Sequence, residues 1–441
     1  MNHPRAVVVG AGPAGFYTAD QLLKAGFGVD MLDRLPTPFG LVRAGVAPDH
    51  PNIKSVIRVY ERIATTPGFR FFGGVELGRE LSRSDLLERY HGVVYATGSS
   101  DDNRLGIPGE DRPGSHAATH FVAWYNGHPD AADHEYDLSP ARAVVIGNGN
   151  VALDVARMLV LHPDELRPTD TADHAIAALE RSGVREVVVL GRRGPVQAAF
   201  TNPELRELID LQRAGVVVED EELALDPRSA AYLADGADAT ARRNVEILRD
   251  YAQRGPKPGS HRIVLRFLCS PVEILGEGEH GAVTGVRVAR NRIEPDQHGN
   301  LRAVATDRHE LIDCGLVLRS IGYRGRRVDD VPFDPRRGLI RNQGGRVVAE
   351  DGSRLPGEYV VGWIKRGPSG VIGTNKKDAA DTVARILEDV AAAALNVPLD
   401  PDPAAAEALI AARAPDAVTW QGWQAIDAHA KAAGAPHGRP R

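Results

Sequence analysis

Two glycine-rich segments far apart in the chain each follow a run of small apolar residues, as buried parallel strands do. In the first segment, Gly10, Gly12 and Gly15 have the spacing G-x-G-x-x-G. In such a segment the first glycine permits a tight turn, the second lets a pyrophosphate approach, and the third lets helix and strand pack closely. The following helix presents free N–H groups and its positive dipole end to the phosphates. The segment therefore predicts a dinucleotide site.

An acidic residue after the next strand indicates which nucleotide this first site takes. The apolar run 29–32 predicts a strand that ends on Asp33, close to the distance of about 20 residues expected for a ribose-binding carboxylate. A carboxylate suits an unphosphorylated ribose, as in FAD. A purely structural glycine-rich turn is the alternative.

The second segment, Gly147–Ala152, reads G-x-G-x-x-A, and the fingerprint tolerates alanine at its last position. The next clear strand, 186–190, leads into Arg192 and Arg193, where the first site has its acid. Two guanidinium groups suit a ribose 2′-phosphate. A solvated arginine pair is the alternative, but the position favours NADP(H). FAD and NADP(H) in one chain indicate hydride transfer between nicotinamide and flavin.

Composition and cysteine usage exclude several other classes of protein. The 441 residues are enough for two or three domains, and the net charge of −6 argues against general nucleic-acid binding. The two cysteines, Cys269 and Cys314, form no C-x-x-C motif, which excludes an adjacent-cysteine redox disulfide and a cysteine-ligated iron–sulfur cluster within the chain. The sequence contains no apolar run of about eighteen residues that could span a membrane. Met1 almost directly precedes the first strand, so we expect no signal peptide and a cytoplasmic protein.

Several further elements are expected along the chain. Residues 35–51 are too rich in proline and glycine for regular structure, and we expect this loop to wrap a ligand. A glycine-rich loop at 366–373 precedes a helix from Thr374 and could hold the anionic edge of a reduced flavin. Trp420 and Trp423 are expected to anchor a terminal helix. The remaining predictions are a helix at 53–65, strands at 69–77, 93–98, 262–268, 285–289, 317–321 and 359–364, and a largely helical stretch at 162–260.

Four long segments together resemble one family, the adrenodoxin-reductase type of ferredoxin–NADP reductase. They are 35–51 (LPTPFGLVRAGVAPDHP), 147–157 (GNGNVALDVAR), 191–208 (GRRGPVQAAFTNPELREL) and 362–377 (GWIKRGPSGVIGTNKK). The resemblance implies an α/β protein with two Rossmann-like dinucleotide-binding domains in a glutathione-reductase-like arrangement. Its FAD domain would be discontinuous, formed by residues 1–105 and by 324–441 with a C-terminal helical extension. Residues 106–323 would form the NADP domain.

The resemblance also implies contact residues for each cofactor. Relatives commonly carry Glu at the position of Asp33, and the shorter acid should still reach the ribose. Mitochondrial members begin with a presequence that this chain lacks, which favours a bacterial-type cytoplasmic enzyme. With the first glycine motif included, the FAD residues are Gly10, Gly12, Ala14, Gly15, Asp33, Leu41, Leu77, Trp363, Gly370, Val371 and Ile372. The NADP residues are Asn148, Gly149, Asn150, Val151, Arg192, Arg193, Glu204 and Gly370.

His50 and Glu204 resemble a pair that the family holds near nicotinamide and flavin, and they are the catalytic candidates. His50 could orient the cofactor or relay protons, or it could simply hold its loop by hydrogen bonds. Hydride transfer needs only alignment of the two rings, so substitutions at either residue should slow the reaction without abolishing it.

The expected activity is hydride transfer from NADPH to FAD, followed by single-electron transfer to a ferredoxin-type iron–sulfur protein, reversible in principle. That carrier could feed a cytochrome P450. Because ferredoxins are typically acidic, Arg206, Arg242 and Arg243 are candidates for a docking face, although a solvated helical face is the simpler explanation for the last two. The alternatives are an NADPH diaphorase or quinone reductase without a protein acceptor, and a flavin-binding sensor or assembly subunit. Related glutamate-synthase small subunits need N-terminal cluster cysteines, and this chain has none.

Overall fold

The computed structural model describes residues 4–235, 238–256 and 260–441. Two compact units divide the chain. The first comprises the chain up to Val46, His50–Asp101 and Gly322–Arg441, and the second comprises Ala47–Asp49 and Asp102–Ile321. Residues 236–237 and 257–259, within the stretch predicted to be largely helical, lie outside the described residues. Assignment of FAD and NADP(H) to these units stays a prediction.

The first unit is built on an eight-stranded sheet whose middle five strands are parallel. Its central strand, Arg5–Val9, lies between Gly28–Asp33 and Gly92–Tyr95. Side chains alternate along this strand, so that Ala6 and Val8 join one apolar cluster and Val7 and Val9 join another. The continuous apolar run thus reflects burial on both faces. The carboxyl end of this strand is a switch point, where open parallel sheets bind ligands.

The first unit contains the strands of this sheet, a small hairpin and several α-helices. Across the sheet, the strands are Asn342–Gln343, Arg346–Val348, Arg354–Val360, Gly92–Tyr95, Arg5–Val9, Gly28–Asp33, Phe69–Gly73 and Val418–Thr419. A small hairpin pairs Phe333–Asp334 with Leu339–Ile340. The α-helices are Pro13–Lys24, Leu41–Ala44, Pro51–Lys54, Ile57–Ala64, Arg83–Arg89, Trp363–Arg366, Thr374–Ala391, Pro403–Arg413 and Trp420–Gly434.

The second unit contains a six-stranded, entirely parallel sheet and a separate three-stranded antiparallel sheet. The parallel strands, in spatial order, are Ser115–Ala117, Leu316–Arg319, Arg142–Ile146, Glu186–Leu190, His261–Arg266 and Ala214–Val217. The antiparallel strands are Cys269–Gly276, Val283–Pro295 and Leu301–Asp313. The α-helices are Ala118–Tyr125, Asn150–Val160, Pro163–Leu166, Asp173–Glu180, Asn202–Glu207, Pro227–Asp235 and Ala239–Arg254.

Several predicted elements were wrong in extent. The helix predicted at 53–65 is two helices, Pro51–Lys54 and Ile57–Ala64. The strand predicted at 359–364 ends at Val360, because Gly362 has a φ of +78° and a helix begins directly after it. The predicted strand 285–289 is part of a longer strand, Val283–Pro295, which forms a hairpin with Leu301–Asp313. The arginine-rich strands of this hairpin are held by ladder hydrogen bonds, which apolar periodicity does not reveal.

Other predictions are confirmed. The helix from Thr374 and the terminal helix are present, and Trp423 is buried within the core of the first unit. The loop 35–51 is mostly irregular. It contains the short helix Leu41–Ala44 and ends at Pro51, where the short helix Pro51–Lys54 begins. Among the described residues, no helix is both long and apolar enough to cross a membrane.

Candidate functional sites: two glycine loops

The first glycine loop, Gly10–Gly15, has the geometry that its motif predicts. Gly10 has a φ of +114°, and a Cβ there would overlap the Ala96 carbonyl oxygen. A Cβ on Gly15 would overlap the carbonyl oxygen of Gly10. A Cβ on Gly12, in contrast, would meet no atom within 4 Å. The protein's own packing therefore explains the outer two glycines, and it leaves open space at the middle one, where the motif predicts a pyrophosphate.

The helix Pro13–Lys24 begins at this open position. Its N-cap residue, Gly12, has extended backbone and no side chain that could cap the helix. The N–H groups of the first turn are thus left for an external acceptor, as in sites that bind pyrophosphate. This cradle fits a dinucleotide.

Asp33 lies at the end of the neighbouring strand and supports the same loop. One carboxylate oxygen accepts a hydrogen bond from the Ala11 N–H at 2.7 Å, and the other accepts from the Leu35 N–H at 2.9 Å. Burial raises the pKa of Asp33, although these two hydrogen bonds act against the rise. Each oxygen keeps a second lone pair for a ribose hydroxyl. Asp33 therefore braces the loop as well as offering acceptors, a role that the sequence did not reveal.

A second turn of the first unit meets the glycine loop. A Cβ on Gly362 would lie 2.7 Å from the Ala14 Cβ, so these two predicted FAD residues are in close contact. The buried Asp378 fixes this turn by accepting hydrogen bonds from the Gly362 N–H at 2.5 Å and from the Lys365 Nζ at 2.7 Å. Trp363 follows, and its buried indole N–H has no hydrogen-bond partner among the residues described. Such a donor fits an acceptor on a bound molecule.

The other predicted FAD residues occupy loops and helix starts of the first unit. Leu41 begins the short helix Leu41–Ala44, and Leu77 forms an isolated bridge with Leu81. Gly370, Val371 and Ile372 immediately precede the helix Thr374–Ala391, and the apolar side chain of Val371 is 61% exposed. The loop is fixed by a hydrogen bond from the Val371 N–H to the Thr374 hydroxyl at 3.1 Å.

The second glycine loop, Gly147–Ala152, repeats this geometry. Gly147 has a φ of +132°, and a Cβ there would overlap the Ser320 carbonyl oxygen. A Cβ on Gly149 would again meet no atom within 4 Å, and Gly149 begins a helix without a capping side chain. Ala152 is fully buried, so the last position accommodates a methyl group. The second loop is also an open cradle at a helix N-terminus.

Side chains of the second loop connect it to the two segments expected to bind NADP(H). The Asn150 side-chain oxygen accepts a hydrogen bond from the Thr201 N–H at 2.8 Å, next to the helix Asn202–Glu207. Asn148 packs against Gly191, where an added Cβ would lie 2.6 Å from its side-chain nitrogen. Val151 lies in the first turn of the helix Asn150–Val160.

Arg192 and Arg193 follow the strand Glu186–Leu190, as predicted. Arg192 is exposed and Arg193 is half-buried. Within the described part of the chain, neither guanidinium forms an ion pair. Burial and the positive charge of Arg192 lower the pKa of Arg193. Two adjacent cations without a counter-ion among the described residues have the charge that binding of a 2′-phosphate would require.

Sequence reasoning missed a buried arginine in this unit. Arg157 is 3% exposed and forms ion pairs with Asp49 at 2.9 Å, Asp154 at 2.9 Å and Glu207 at 2.8 Å. Burial disfavours its charge, but the three carboxylates raise the pKa of Arg157 overall. The only local signal is the i, i+3 spacing of Asp154 and Arg157. The contact with Asp49 fixes the backbone directly before His50.

The two catalytic candidates belong to different units. His50, which is 8% exposed, is the N-cap residue of the short helix Pro51–Lys54 in the first unit. Glu204 lies on the helix Asn202–Glu207 of the second unit. Their joint role stays a prediction. Of the docking candidates, Arg206 and Arg242 are exposed, whereas Arg243 pairs with Glu246 at 2.6 Å, as on an ordinary solvated helix.

Comparisons with known proteins show which family shares these features. The family described as pyridine nucleotide-disulphide oxidoreductase matches residues 4–216. NADPH-ferredoxin reductase FprA of Mycobacterium leprae is 50% identical over 443 residues, which cover 98% of this chain and 94% of that protein. The chain belongs to the NADPH–ferredoxin reductase family.

This reductase also resembles more distant members and a solved structure. The mitochondrial NADPH:adrenodoxin oxidoreductase of Arabidopsis thaliana is 41% identical, with 98% of this chain and 92% of that protein covered. Mycobacterium tuberculosis FprA in complex with NADPH has a TM-score of 0.93 and 48% identity, covering 100% of this chain and 97% of that one. The expected family and the α/β class with Rossmann-like domains are therefore confirmed, and the reductase is an oxidoreductase.

Proposed function

We propose that this reductase transfers a hydride from NADPH to FAD and then single electrons to a ferredoxin-type iron–sulfur protein. The observation that carries the proposal is the pair of open glycine loops with opposite charge at their ribose ends, Asp33 in one and Arg192 and Arg193 in the other. When bound, FAD supplies the conversion of a two-electron hydride into single electrons. The chain's own residues bind the two nucleotides, orient their rings and discriminate NADPH from NADH.

The first unit supplies the FAD site. The open backbone at Gly12 and the uncapped helix N-terminus accept the pyrophosphate, and Asp33 accepts hydrogen bonds from the ribose. The unpartnered indole N–H of Trp363 would donate to the flavin. Asp378 holds this turn in place through the Gly362 N–H.

The second unit supplies the NADPH site. Gly149 and the start of the helix Asn150–Val160 take the pyrophosphate, and Arg192 and Arg193 take the 2′-phosphate. Glu204 would help to orient the nicotinamide, and hydride transfer needs no acid or base from Glu204 or from His50 of the first unit. Arg157 supports both by holding Asp49 and Glu207.

The thiols of this reductase do not form a second redox centre. Cys269 and Cys314 are buried, and burial raises their pKa values to about 11 and about 12. Neither is a thiolate at neutral pH, so dithiol transfer of the disulfide-reductase kind has no chemical group here. A protein electron acceptor agrees with the names of the relatives, NADPH-ferredoxin reductase and NADPH:adrenodoxin oxidoreductase. A cytoplasmic location and a downstream cytochrome P450 are part of the proposal.

The test is NADPH-dependent reduction of cytochrome c in the presence of an acidic ferredoxin, titrated with salt. We expect saturation with ferredoxin and a rate that falls between about 50 and 200 mM salt, over which surface charges become screened. Arg206→Glu should raise the KM for ferredoxin, and the control Arg254→Glu should not. Salt-insensitive quinone reduction without ferredoxin turnover would indicate a diaphorase. Negligible turnover with FAD bound would indicate a sensor or assembly subunit.

A further inference from the structure

The turn formed by Phe39 and Gly40 has an unusual backbone for its sequence. Phe39 has a φ of +85°, a region that bulky residues adopt only when their surroundings hold them there. Its N–H donates a hydrogen bond to the Ala11 carbonyl oxygen at 2.8 Å. A Cβ on Gly40 would lie 3.0 Å from the Gly12 Cα. The strained turn therefore lies directly against the first glycine loop.

Aromatic side chains of the C-terminal helix, Trp420–Gly434, hold the Phe39 ring. The ring centroids of Phe39 and Trp423 are 5.6 Å apart with an interplanar angle of 87°, and Trp420 lies 6.2 Å away. Phe16 and Tyr60 also pack against the ring, at 5.5 and 6.1 Å. Phe39 is 1% exposed and Trp423 is 2% exposed. Edge-to-face contacts of this kind are favourable beyond the area that they bury.

The C-terminal helix is itself fixed to the first unit. Val418 and Thr419 form the edge strand that pairs with Phe69–Gly73, and the Thr419 hydroxyl caps the helix by accepting a hydrogen bond from the Gly422 N–H at 3.2 Å. The Arg43 guanidinium lies 4.9 Å from the Trp423 ring centroid. The helix thus contacts the loop both at Phe39 and four residues further on.

We propose that the C-terminal helix positions FAD, with Trp423 as the positioning residue. Trp423 keeps Phe39 in its strained conformation, and Phe39 holds the Ala11 carbonyl and hence the glycine loop in the shape that receives the pyrophosphate. Without Trp423 the turn relaxes and the loop loses its preorganisation, so FAD dissociates faster. This inference rests on the proposed function, because it takes the first glycine loop as the FAD site.

The experiment compares FAD dissociation from the wild-type holoenzyme and from Trp423→Leu, followed by flavin fluorescence and visible circular dichroism. We expect dissociation from Trp423→Leu to be about tenfold faster, with a changed visible spectrum. The matched control is Trp124→Leu, which alters a tryptophan that is 3% exposed in the second unit. It should lower thermal stability without changing FAD dissociation.

A second variant separates positioning from simple structural support. Phe39→Gly removes both the ring and the strain, so adding Trp423→Leu to it should accelerate dissociation less than Trp423→Leu does in the wild type. Equal dissociation from wild type and Trp423→Leu, or fully additive effects in the double variant, would overturn the proposal. If Trp423→Leu does not fold, Phe39→Leu replaces it and should also release FAD about tenfold faster. A wild-type chain that binds no FAD would instead overturn the proposed function.

Discussion

Replacing Arg193 with alanine should reduce the preference of this reductase for NADPH over NADH. Arg193 is half-buried, has no ion-pair partner in the described ranges, and has its pKa lowered by burial and by Arg192. No described carboxylate is paired with this charge, so its removal should weaken the binding of the anion without breaking an ion pair of the protein. A hydrogen bond to a charged group contributes about 1.5–3 kcal/mol. At about 1.36 kcal/mol per tenfold, the loss in kcat/KM for NADPH is about 10- to 150-fold.

The values for NADH decide whether this reasoning is correct. NADH has no 2′-phosphate, so its kcat/KM should change by less than about twofold, within the effect of a surface substitution. Arg192→Ala should cost less than Arg193→Ala, because Arg192 is exposed and solvent screens its attraction to the anion more strongly. The control is Arg254→Ala, which removes an equal charge from an exposed arginine paired with Asp250 at 3.0 Å. Initial rates of ferricyanide reduction with each nucleotide provide the assay. An equal loss with NADPH and NADH, or no loss with NADPH, would refute the assignment of a 2′-phosphate site.

Four further predictions follow from single positions. Gly12→Ala should leave the stability of the apoprotein unchanged and weaken FAD binding at least about tenfold, whereas Gly15→Ala should destabilise the fold by about 1–3 kcal/mol. Thermal unfolding with and without FAD measures both effects. The reverse pattern would contradict the roles assigned to the two glycines. His50→Ala should lower kcat in steady-state ferredoxin reduction and leave it above background, and a background rate would show that His50 is essential. Cys314→Ser should keep ferredoxin reduction within about twofold of wild type, since burial keeps the thiol protonated, and a large loss would implicate it in electron transfer. Burial, with Arg213 and Arg185, lowers the pKa of His261 to about 4. The unfolded chain therefore binds an extra proton between pH 6.5 and about 4, and the free energy of unfolding decreases as the pH is lowered through that window. Urea titrations should show a smaller decrease for His261→Gln.

The glycine loops could be predicted from the sequence because the motif is contiguous, even though the carbonyl oxygen that excludes a Cβ at Gly10 belongs to the distant Ala96. Gly10 and Gly15 are required by collisions with nearby backbone, and Gly12 and Gly149 are left open by it. Asp33 and the two arginines each come at the end of the next strand after a glycine loop, although two further helices, Pro163–Leu166 and Asp173–Glu180, precede that strand in the second unit.

Other features depend on contacts between distant parts of the sequence and could not be predicted. The ion pairs of Arg157 join Asp49 to Glu207, and no local pattern connects these residues. Phe39 combines a positive φ with packing against Trp423, which lies far along the chain. The long hairpin at 283–313 was underestimated because its ladder hydrogen bonds, not an apolar period, specify it.

Stopped-flow reduction of the purified flavoprotein shows whether electrons pass from NADPH through FAD to ferredoxin. The protein is mixed with NADPH or with NADH, flavin absorbance is followed, and oxidised ferredoxin is then added. We expect fast bleaching by NADPH, slower bleaching by NADH and rapid reoxidation by ferredoxin. Bleaching without reoxidation by ferredoxin would contradict the protein-acceptor assignment, and no bleaching by either nucleotide would contradict the proposed activity as a whole.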